Sequence, residues 1–277
     1  MKRIFTYCLL ITAGCSCTLN NAKEDKSLGK FFDENNVKGC FALYNNSTDK
    51  FTVYDLARYK DSVFLPASTF KIINSLIGLQ TGIITNDSMV IKWDGIKRWV
   101  PEWNKDLTMY EAFRVSSFPY YQEVARRIGK DTMQSWLDSI GYGAGKKDTG
   151  YIIKSAVDTF WLDNSLKITP DEQLGLVKRL YFDQLPFFKT YQEVVKRAML
   201  IENNANYRLG YKTGWGMWDE KTRKQIGWVV GWIEENRHPY FFVLNIESQD
   251  PNIDMPAIRV KMLKDILKEQ GFFEGGM

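Results

Sequence analysis

The sequence predicts an α+β fold in which an antiparallel sheet is built from both termini, with flanking helices and an inserted helical subdomain. Strand-like segments occur early, over residues 39–55, and again late, over 209–218, 225–234 and 240–247. They are rich in aromatic and β-branched residues and are separated by turns. Between them, about residues 86–196 carry mostly helical signals, so we expect an insertion between the two halves of the sheet.

Start and stop residues support the predicted helices. Pro66 precedes the first helix and Gly82 ends it, while Pro119 opens a later one. Thr169 and Glu172 form a capping-box pattern at the start of another. The predicted helices cover residues 69–80, 120–128, 131–140, 172–181 and 257–270.

The beginning of the chain is typical of an exported protein. Lys2 and Arg3 precede a short apolar run over residues 4–13, which is too short for a membrane span and favours a signal peptide. Small residues before Cys15 resemble a bacterial lipoprotein cleavage box, which predicts a periplasmic protein tethered to the membrane through lipidated Cys15. The alternative is a plain signal peptide cut nearby.

The chain is thus divided into three parts. Residues 1–20 are the predicted signal, and residues 21–38 are polar and charged enough to predict a loose N-terminal arm. Residues 39–277 form the predicted main domain, long enough to bury a full core.

Composition argues against several classes of function. The formal net charge is +4 with no concentrated basic run, so nucleic acid is not expected as a partner. The only histidine, His238, lies in a predicted turn, and Cys40 is the only cysteine beyond the N-terminal segment. We therefore expect no metal site and no Ser-His-Asp triad.

The pattern Ser-x-x-Lys occurs three times, beginning at Ser27, Ser47 and Ser68. The first lies in the polar arm and the second in a hairpin turn. Only Ser68 stands at the start of an apolar helix, where Lys71 follows one turn later on the same face. Apolar neighbours such as Phe70 would desolvate Lys71 and lower its pKa, so that a neutral or masked lysine could take the serine proton. The alternative is an N-cap serine beside a snorkelling lysine.

The second motif is Lys212-Thr213-Gly214 on a predicted strand. Lys212 and Thr213 offer a cation and a hydroxyl to a substrate carboxylate, and Gly214 allows close approach to the strand. The backbone N–H of Trp215 is a candidate oxyanion donor, together with the N–H groups at the start of the Ser68 helix. Ser-x-x-Lys together with Lys-Thr-Gly is typical of β-lactamases and penicillin-binding proteins.

Five segments extend this pattern. They are residues 66–71 (PASTFK), 115–123 (VSSFPYYQE), 160–168 (FWLDNSLKI), 212–214 (KTG) and 227–232 (GWVVGW). In order and spacing the chain resembles the class D (oxacillinase-type) β-lactamases from about Gly39 to the last helix, which implies a β-lactamase/transpeptidase-like fold.

The resemblance implies hydrolysis of β-lactam small molecules through an acyl-enzyme on Ser68. In this family the lysine matching Lys71 is carboxylated by CO2 to N6-carboxylysine, which is the general base of both half-reactions. Trp161 would donate a hydrogen bond to that carbamate, and Ser116 would relay a proton to the ring nitrogen. Apart from CO2 or bicarbonate, the resemblance implies no cofactor and no metal.

It also implies the substrate contacts. Arg259 would pair with the substrate carboxylate beside Lys212 and Thr213, and Leu162 would line the pocket. Two departures from the family pattern bear on substrate range and turnover. Ala144 replaces a usual asparagine, and Phe118 replaces a usual valine and would narrow access to the carbamate.

Two other functions share these motifs. One is a β-lactam sensor domain that stays acylated, and the other is a penicillin-binding carboxypeptidase or an inactive binding protein. The context of Phe70 and Trp161 argues against the penicillin-binding protein. Sensors of this kind carry transmembrane helices and a protease domain ahead of the binding domain, and because the sequence shows neither, we expect the enzyme. The sequence leaves the oligomeric state open.

Overall fold

The computed structural model describes residues 21–143, 151–219 and 223–276. The strands are β1 (Ala22–Glu24), β2 (Lys38–Asn45), β3 (Lys50–Tyr54), β4 (Val90–Ile91), β5 (Leu107–Thr108), β6 (Leu200–Asn203), β7 (Tyr207–Asp219), β8 (Lys224–Glu235) and β9 (His238–Ser248). The α-helices are α1 (Gly29–Glu34), α2 (Leu56–Asp61), α3 (Lys71–Gln80), α4 (Met109–Arg114), α5 (Phe118–Ile128), α6 (Lys130–Ile140), α7 (Pro170–Tyr181), α8 (Lys189–Met199) and α9 (Met255–Glu269). Short 3-10 helices cover Lys26–Leu28, Ala67–Phe70 and Pro101–Trp103.

One large sheet organises the described ranges. Its strand order is β1-β3-β2-β9-β8-β7-β6, and neighbours are antiparallel except for the parallel pair β1 and β3. Strand β2, from the start of the chain, pairs with β9, from its end, along its whole length. Strands β4 and β5 form a separate antiparallel pair within the helical insertion. The predicted α+β fold, with a sheet built from both ends of the chain, is confirmed.

Each face of this sheet packs against a hydrophobic core of its own. Successive side chains of the central strands point to opposite sides, so one strand contributes to both cores. In β9, Phe241 and Val243 belong to one core, whereas Phe242 and Leu244 belong to the other. Helices α3, α5 and α7 contribute to the first core, and α1 and α9 contribute to the second. The site described below lies on the first side, where the 3-10 turn Ala67–Phe70 packs against β7.

The N-terminal arm is a correction. Residues 21–38 were expected to be loose, but β1 pairs with β3, and Leu28, Phe31 and Phe32 are buried in the second core. These apolar residues have the i, i+3, i+4 spacing of one helical face, which suffices to dock α1 despite its charged neighbours. The predicted signal, including Cys15, lies outside the described residues.

Local signals account for most helix boundaries. The capping box of Thr169 and Glu172 is present in both directions at the start of α7. The first predicted helix begins differently, since Ser68 lies in a 3-10 turn and the α-helix proper starts at Lys71. The turn before His238 has positive φ at Asn236 and Arg237 (48° and 66°), as a two-residue hairpin requires. Among the described helices, none combines the length and apolar character that a membrane span needs.

Candidate active site

Ser68 and Lys71 meet where the 3-10 turn passes into α3. The Nζ of Lys71 donates a hydrogen bond to Ser68 Oγ at 2.8 Å. Before them, Ala67 is left-handed (φ 49°), and its amide donates to the carbonyl of Trp161 at 3.1 Å. Strain of this kind persists only where the surroundings hold it, and here it turns the half-buried Ser68 towards Lys71.

The surroundings of Lys71 disfavour its charged form. Its side chain is 1% exposed, and its Nζ lies 5.5 Å from the ring centroid of Tyr121. Burial lowers the pKa of Lys71 to about 7. At neutral pH much of the amine is therefore uncharged, and an uncharged amine can accept the Ser68 proton across the 2.8 Å contact.

The other two Ser-x-x-Lys copies have different surroundings. Lys30 forms a surface ion pair with Glu269. The Oγ of Ser47 lies 2.9 Å from Nδ1 of His238, at the exposed end of a hairpin. Lys30 and Lys50 are both exposed, so neither has the desolvation that lowers the pKa of Lys71.

Trp161 forms an aromatic wall with Phe70, which lies between Ser68 and Lys71 in the chain. Its indole is fully buried and stacks on Phe70, with ring centroids 5.1 Å apart and an angle of 18° between planes. Phe160 meets both rings edge-on. The Nε1 of Trp161 is buried and has no hydrogen-bond partner within the part of the chain that the structure describes. Because buried donors are nearly always paired, this one marks a place where an acceptor would be stabilised.

Ser116 and Lys212 form the second polar pair. The Nζ of Lys212 donates to Ser116 Oγ at 3.0 Å and to the carbonyl of Thr213 at 3.0 Å. Ser116 is left-handed (φ 55°), immediately before Ser117, which caps α5. Residues 115–117 thus leave one helix and start the next within a turn, which points the Ser116 hydroxyl at strand β7.

Several basic side chains converge on the site. Lys212 is 4% exposed, and burial lowers its pKa well below the usual value, helped by the nearby charges of Lys71, Arg259 and Arg114. Like charges held together in a dry site cost free energy, and an anion that enters relieves this cost. The site therefore favours a substrate that carries a carboxylate.

Strand β7 packs directly against the turn that carries Ser68. A Cβ added at Gly214 would lie 3.0 Å from the carbonyl oxygen of Pro66 and 3.1 Å from Cγ2 of Thr69, so only glycine fits without displacement. From α9, the Nη1 of Arg259 donates to the carbonyl of Gly214. Burial lowers the pKa of Arg259 to about 10, which leaves it charged at neutral pH, and its Nε is buried without a partner among the described residues. Thr213 lies half-buried between Lys212 and Gly214.

The remaining predicted residues lie around this centre. Trp215 is 37% exposed on β7, and its ring meets that of Trp99 edge-on at 5.9 Å. Leu162 follows Trp161 and packs against the first core, and Phe118 is half-buried as the first residue of α5. Ala144 lies outside the described residues.

Four aromatic residues in this region were not predicted. Tyr121 and Phe113 lie 5.5 Å from the amines of Lys71 and Lys212, respectively. Trp103 donates from Nε1 to the carbonyl of Val115 at 3.0 Å and so braces the Ser116 turn. Trp99 packs against Trp215 at the exposed edge of the active site. The density of tryptophan over residues 93–103 was the available signal, but the sequence does not show that this loop folds over the site.

These side chains lie together, with one hydroxyl beside an uncharged amine, a second hydroxyl beside a buried lysine, and an arginine from α9 that reaches strand β7 at Gly214. The arrangement suits acyl transfer to a substrate that carries a carboxylate.

Comparison with known proteins agrees with this chemistry. The sequence model of the penicillin binding protein transpeptidase domain matches residues 30–268. Beta-lactamase OXA-5 of Pseudomonas aeruginosa is 33% identical over 100% of both chains. The crystal structure of the class D β-lactamase YbXI from Nostoc has a TM-score of 0.81 and 38% identity, covering 90% of this chain and 100% of that one. This chain belongs to the class D β-lactamase family. It is an enzyme of the serine β-lactamase class.

The class D β-lactamase fold is shared with a receptor domain. The C-terminal domain of the Bacillus licheniformis BlaR penicillin receptor has a TM-score of 0.82 and 30% identity, covering 91% of this chain and 98% of that one. Fold alone therefore does not separate an enzyme that turns over from a domain of the BlaR type.

Proposed function

We propose that this class D β-lactamase hydrolyses β-lactam antibiotics through a covalent acyl-enzyme on Ser68. The observation that carries the proposal is the 2.8 Å contact between Ser68 Oγ and the buried, largely uncharged amine of Lys71. A hydroxyl with a base at this distance is an activated nucleophile.

In acylation, Ser68 Oγ bonds to the lactam carbonyl carbon while its proton passes to the base. The ring C–N bond then breaks, and the nitrogen takes a proton through Ser116, whose hydroxyl lies 3.0 Å from the Lys212 amine. In deacylation, a water molecule attacks the ester carbon and gives its proton to the base, and the Ser68 oxygen leaves with a proton. The N–H groups of Ser68 and Trp215 are the candidate donors to the developing oxyanion.

Lys71 is proposed to act after carboxylation by CO2. Two features support this modification: the amine is largely uncharged, as reaction with CO2 requires, and Trp161 Nε1 is a buried donor with no partner among the described residues. When present, the carbamate supplies an anionic base that also serves deacylation. Trp161 would hold it in place, and the wall of Phe70 and Phe160 would keep water away.

Substrate binding is proposed to rest on β7 and α9. Lys212, Thr213 and Arg259 would hold the substrate carboxylate, with Gly214 allowing its close approach. Trp215, Leu162 and Phe118 would contact the rest of the substrate, and the larger Phe118 would restrict access to Lys71.

The test is nitrocefin turnover with and without bicarbonate, in enzyme freed of CO2. Many turnovers, accelerated by bicarbonate, are expected. A stoichiometric burst that then stops would instead identify an acylating sensor of the BlaR type. Ser68→Ala should abolish covalent labelling by a fluorescent penicillin, whereas Ser47→Ala, in another Ser-x-x-Lys copy, should label normally. Labelling that persists in Ser68→Ala would refute the assignment of the nucleophile.

Export and lipidation at Cys15 also remain proposals. Expression of the full chain in a bacterium should give a membrane-bound protein that incorporates labelled palmitate, and Cys15→Ser should release it unlabelled to the periplasm. An unlabelled protein with the native sequence would favour the plain signal peptide.

A further inference from the structure

A second cavity lies beside the Ser116 turn, between the β4–β5 pair, the start of α5 and the loop that joins β4 to β5. Its volume is about 360 Å³, within the range of small-molecule sites. Trp103, Ser117 and Tyr120 contribute to its walls, whereas Ser68 and Lys212 do not line it. It is thus a separate cavity that shares the turn of Ser116 with the active site.

The inner wall of this cavity offers mainly apolar surface, because the polar atoms of its aromatic residues are already hydrogen-bonded. The Nε1 of Trp103 donates to the carbonyl of Val115, and the hydroxyl of Tyr120 donates to the carbonyl of Met89 at 3.1 Å. Leu107 and Pro119 complete the wall. Aromatic faces whose polar atoms are already paired favour a flat apolar group over a polar one.

The rim carries excess positive charge. Its two carboxylates are occupied, because Asp94 pairs with Arg98, and Glu123 pairs with Arg126 and Arg127. Arg126 and Arg127 also line the cavity.

Two further cations at the rim are less engaged. Lys92 and Lys105 line the cavity, and neither forms an ion pair or hydrogen bond within the described ranges. The pKa of nearby Glu111 is lowered mainly by its hydrogen bonds to Thr108, with only a small contribution from the charge of Lys105. The two ammonium groups are therefore the charges available to an incoming anion.

We propose that this cavity is a binding site for an aromatic monocarboxylate, whose ring packs against Trp103 and Tyr120 and whose carboxylate pairs with Lys92 and Lys105. The site is independent of the function proposed above, because it uses none of the residues assigned to hydrolysis. The ligand would contact Trp103 and Ser117, the residues that brace and follow Ser116.

The experiment is calorimetric titration of the full protein with 2-naphthoate and with its neutral isostere 2-naphthamide. Naphthoate should bind about tenfold more tightly than the amide, and the double variant Lys92→Gln/Lys105→Gln should lose about tenfold in naphthoate affinity, with amide binding unchanged. The matched control is Lys97→Gln/Lys130→Gln, which removes two exposed lysines that do not line the cavity and should bind naphthoate like the native protein. The difference between naphthoate and amide should shrink as salt is raised.

Binding at the active-site cations must be distinguished. The titration is therefore repeated with Lys212→Ala, which should bind naphthoate with native affinity. Loss of binding in Lys212→Ala would place the ligand at the active site and overturn the proposal. Equal affinity of both double variants, or equal affinity for naphthoate and the amide, would overturn it as well. None of these outcomes depends on whether the enzyme hydrolyses β-lactams.

Discussion

Replacing Trp161 with phenylalanine tests the most specific feature of the proposed mechanism. The variant keeps an aromatic ring against Phe70 but removes Nε1, which is buried and has no partner among the described residues. A hydrogen bond from this donor to an anion at Lys71 is worth about 1.5–3 kcal/mol, so its loss should weaken carboxylation roughly 10- to 100-fold. The concentration of bicarbonate that gives half-maximal nitrocefin turnover should rise by that factor.

The stability of the uncarboxylated protein should respond quite differently. Trp161→Phe leaves a gap of roughly 40 Å³, which costs about 1 kcal/mol at ~24 cal/mol per Å³. It also removes an unpaired buried donor, which by itself raises the free energy of unfolding by about 1–3 kcal/mol. The net change is a gain of about 0–2 kcal/mol, so the free energy of unfolding measured in urea without CO2 should equal that of the native protein or exceed it by up to about 2 kcal/mol.

Trp228 provides the matched control. Its indole is equally buried, but its Nε1 donates to the carbonyl of Leu65 at 2.9 Å. Trp228→Phe should therefore lower stability by about 1–3 kcal/mol, since it leaves a buried carbonyl unpaired, and it should leave the bicarbonate requirement unchanged. The reasoning is refuted if Trp161→Phe needs no more bicarbonate than the native enzyme. Carbon-13 NMR with labelled bicarbonate, which detects the carbamate directly, should show the same loss in Trp161→Phe alone.

Three further predictions follow from single residues. Because the pKa of Lys71 is about 7 in the fold against a usual 10.5, the charged form should accumulate as pH falls, and kcat/KM for nitrocefin should drop tenfold per unit below about pH 6. Between these two values the unfolded chain binds one more proton at Lys71 than the folded chain does, so stability should rise more steeply with pH from about 7 to 10 in the native protein than in Lys71→Met, which keeps the lowered pKa of Lys212; equal pH dependence of the two would contradict this. Gly214→Ala should cost about 1–3 kcal/mol of stability and slow acylation by fluorescent penicillin, because its Cβ would meet Pro66 at 3.0 Å; a native acylation rate would show that the strand can shift freely. Ser116→Gly should be more stable in urea than Ser116→Ala by about 1 kcal/mol, because both lose the hydroxyl but only glycine relaxes φ of 55°; equal stability would argue against strain at this turn.

The sequence predicted those parts of the molecule whose pattern is local. The aromatic and β-branched runs of β8 and β9 and the capping residues of α7 indicate their elements directly, and Ser68 and Lys71 are one turn apart. The docking of α1 was missed because three apolar residues among many charges looked like a solvated arm. Only the second face of the sheet, assembled from distant strands, makes Leu28 and Phe32 core residues.

Contacts between distant segments were harder to predict. The resemblance suggested a role for Trp161, but no sequence pattern reveals that its indole N–H is unpaired while the similar Trp228 is bonded. The left-handed Ser116 follows from three-dimensional constraints, since only three residues separate the end of α4 from the start of α5. Trp103 holds this turn through one hydrogen bond to the backbone carbonyl of Val115. Every residue has such a carbonyl, so the sequence does not reveal this contact.

The two active-site lysines show how carboxylation would reorganise the site. In the unmodified protein the pKa values of Lys71 and Lys212 are both lowered by burial, and the charge of Lys71 lowers that of Lys212 further. Carboxylation would convert Lys71 from a cation or neutral amine into an anion, and repulsion between the two residues would become attraction. Lys212 would then hold its proton more firmly, ready to pair with the substrate carboxylate and to orient Ser116 at 3.0 Å. Bicarbonate should therefore lower the KM for penicillins as well as raise kcat, and this coupling should vanish in Lys71→Ala.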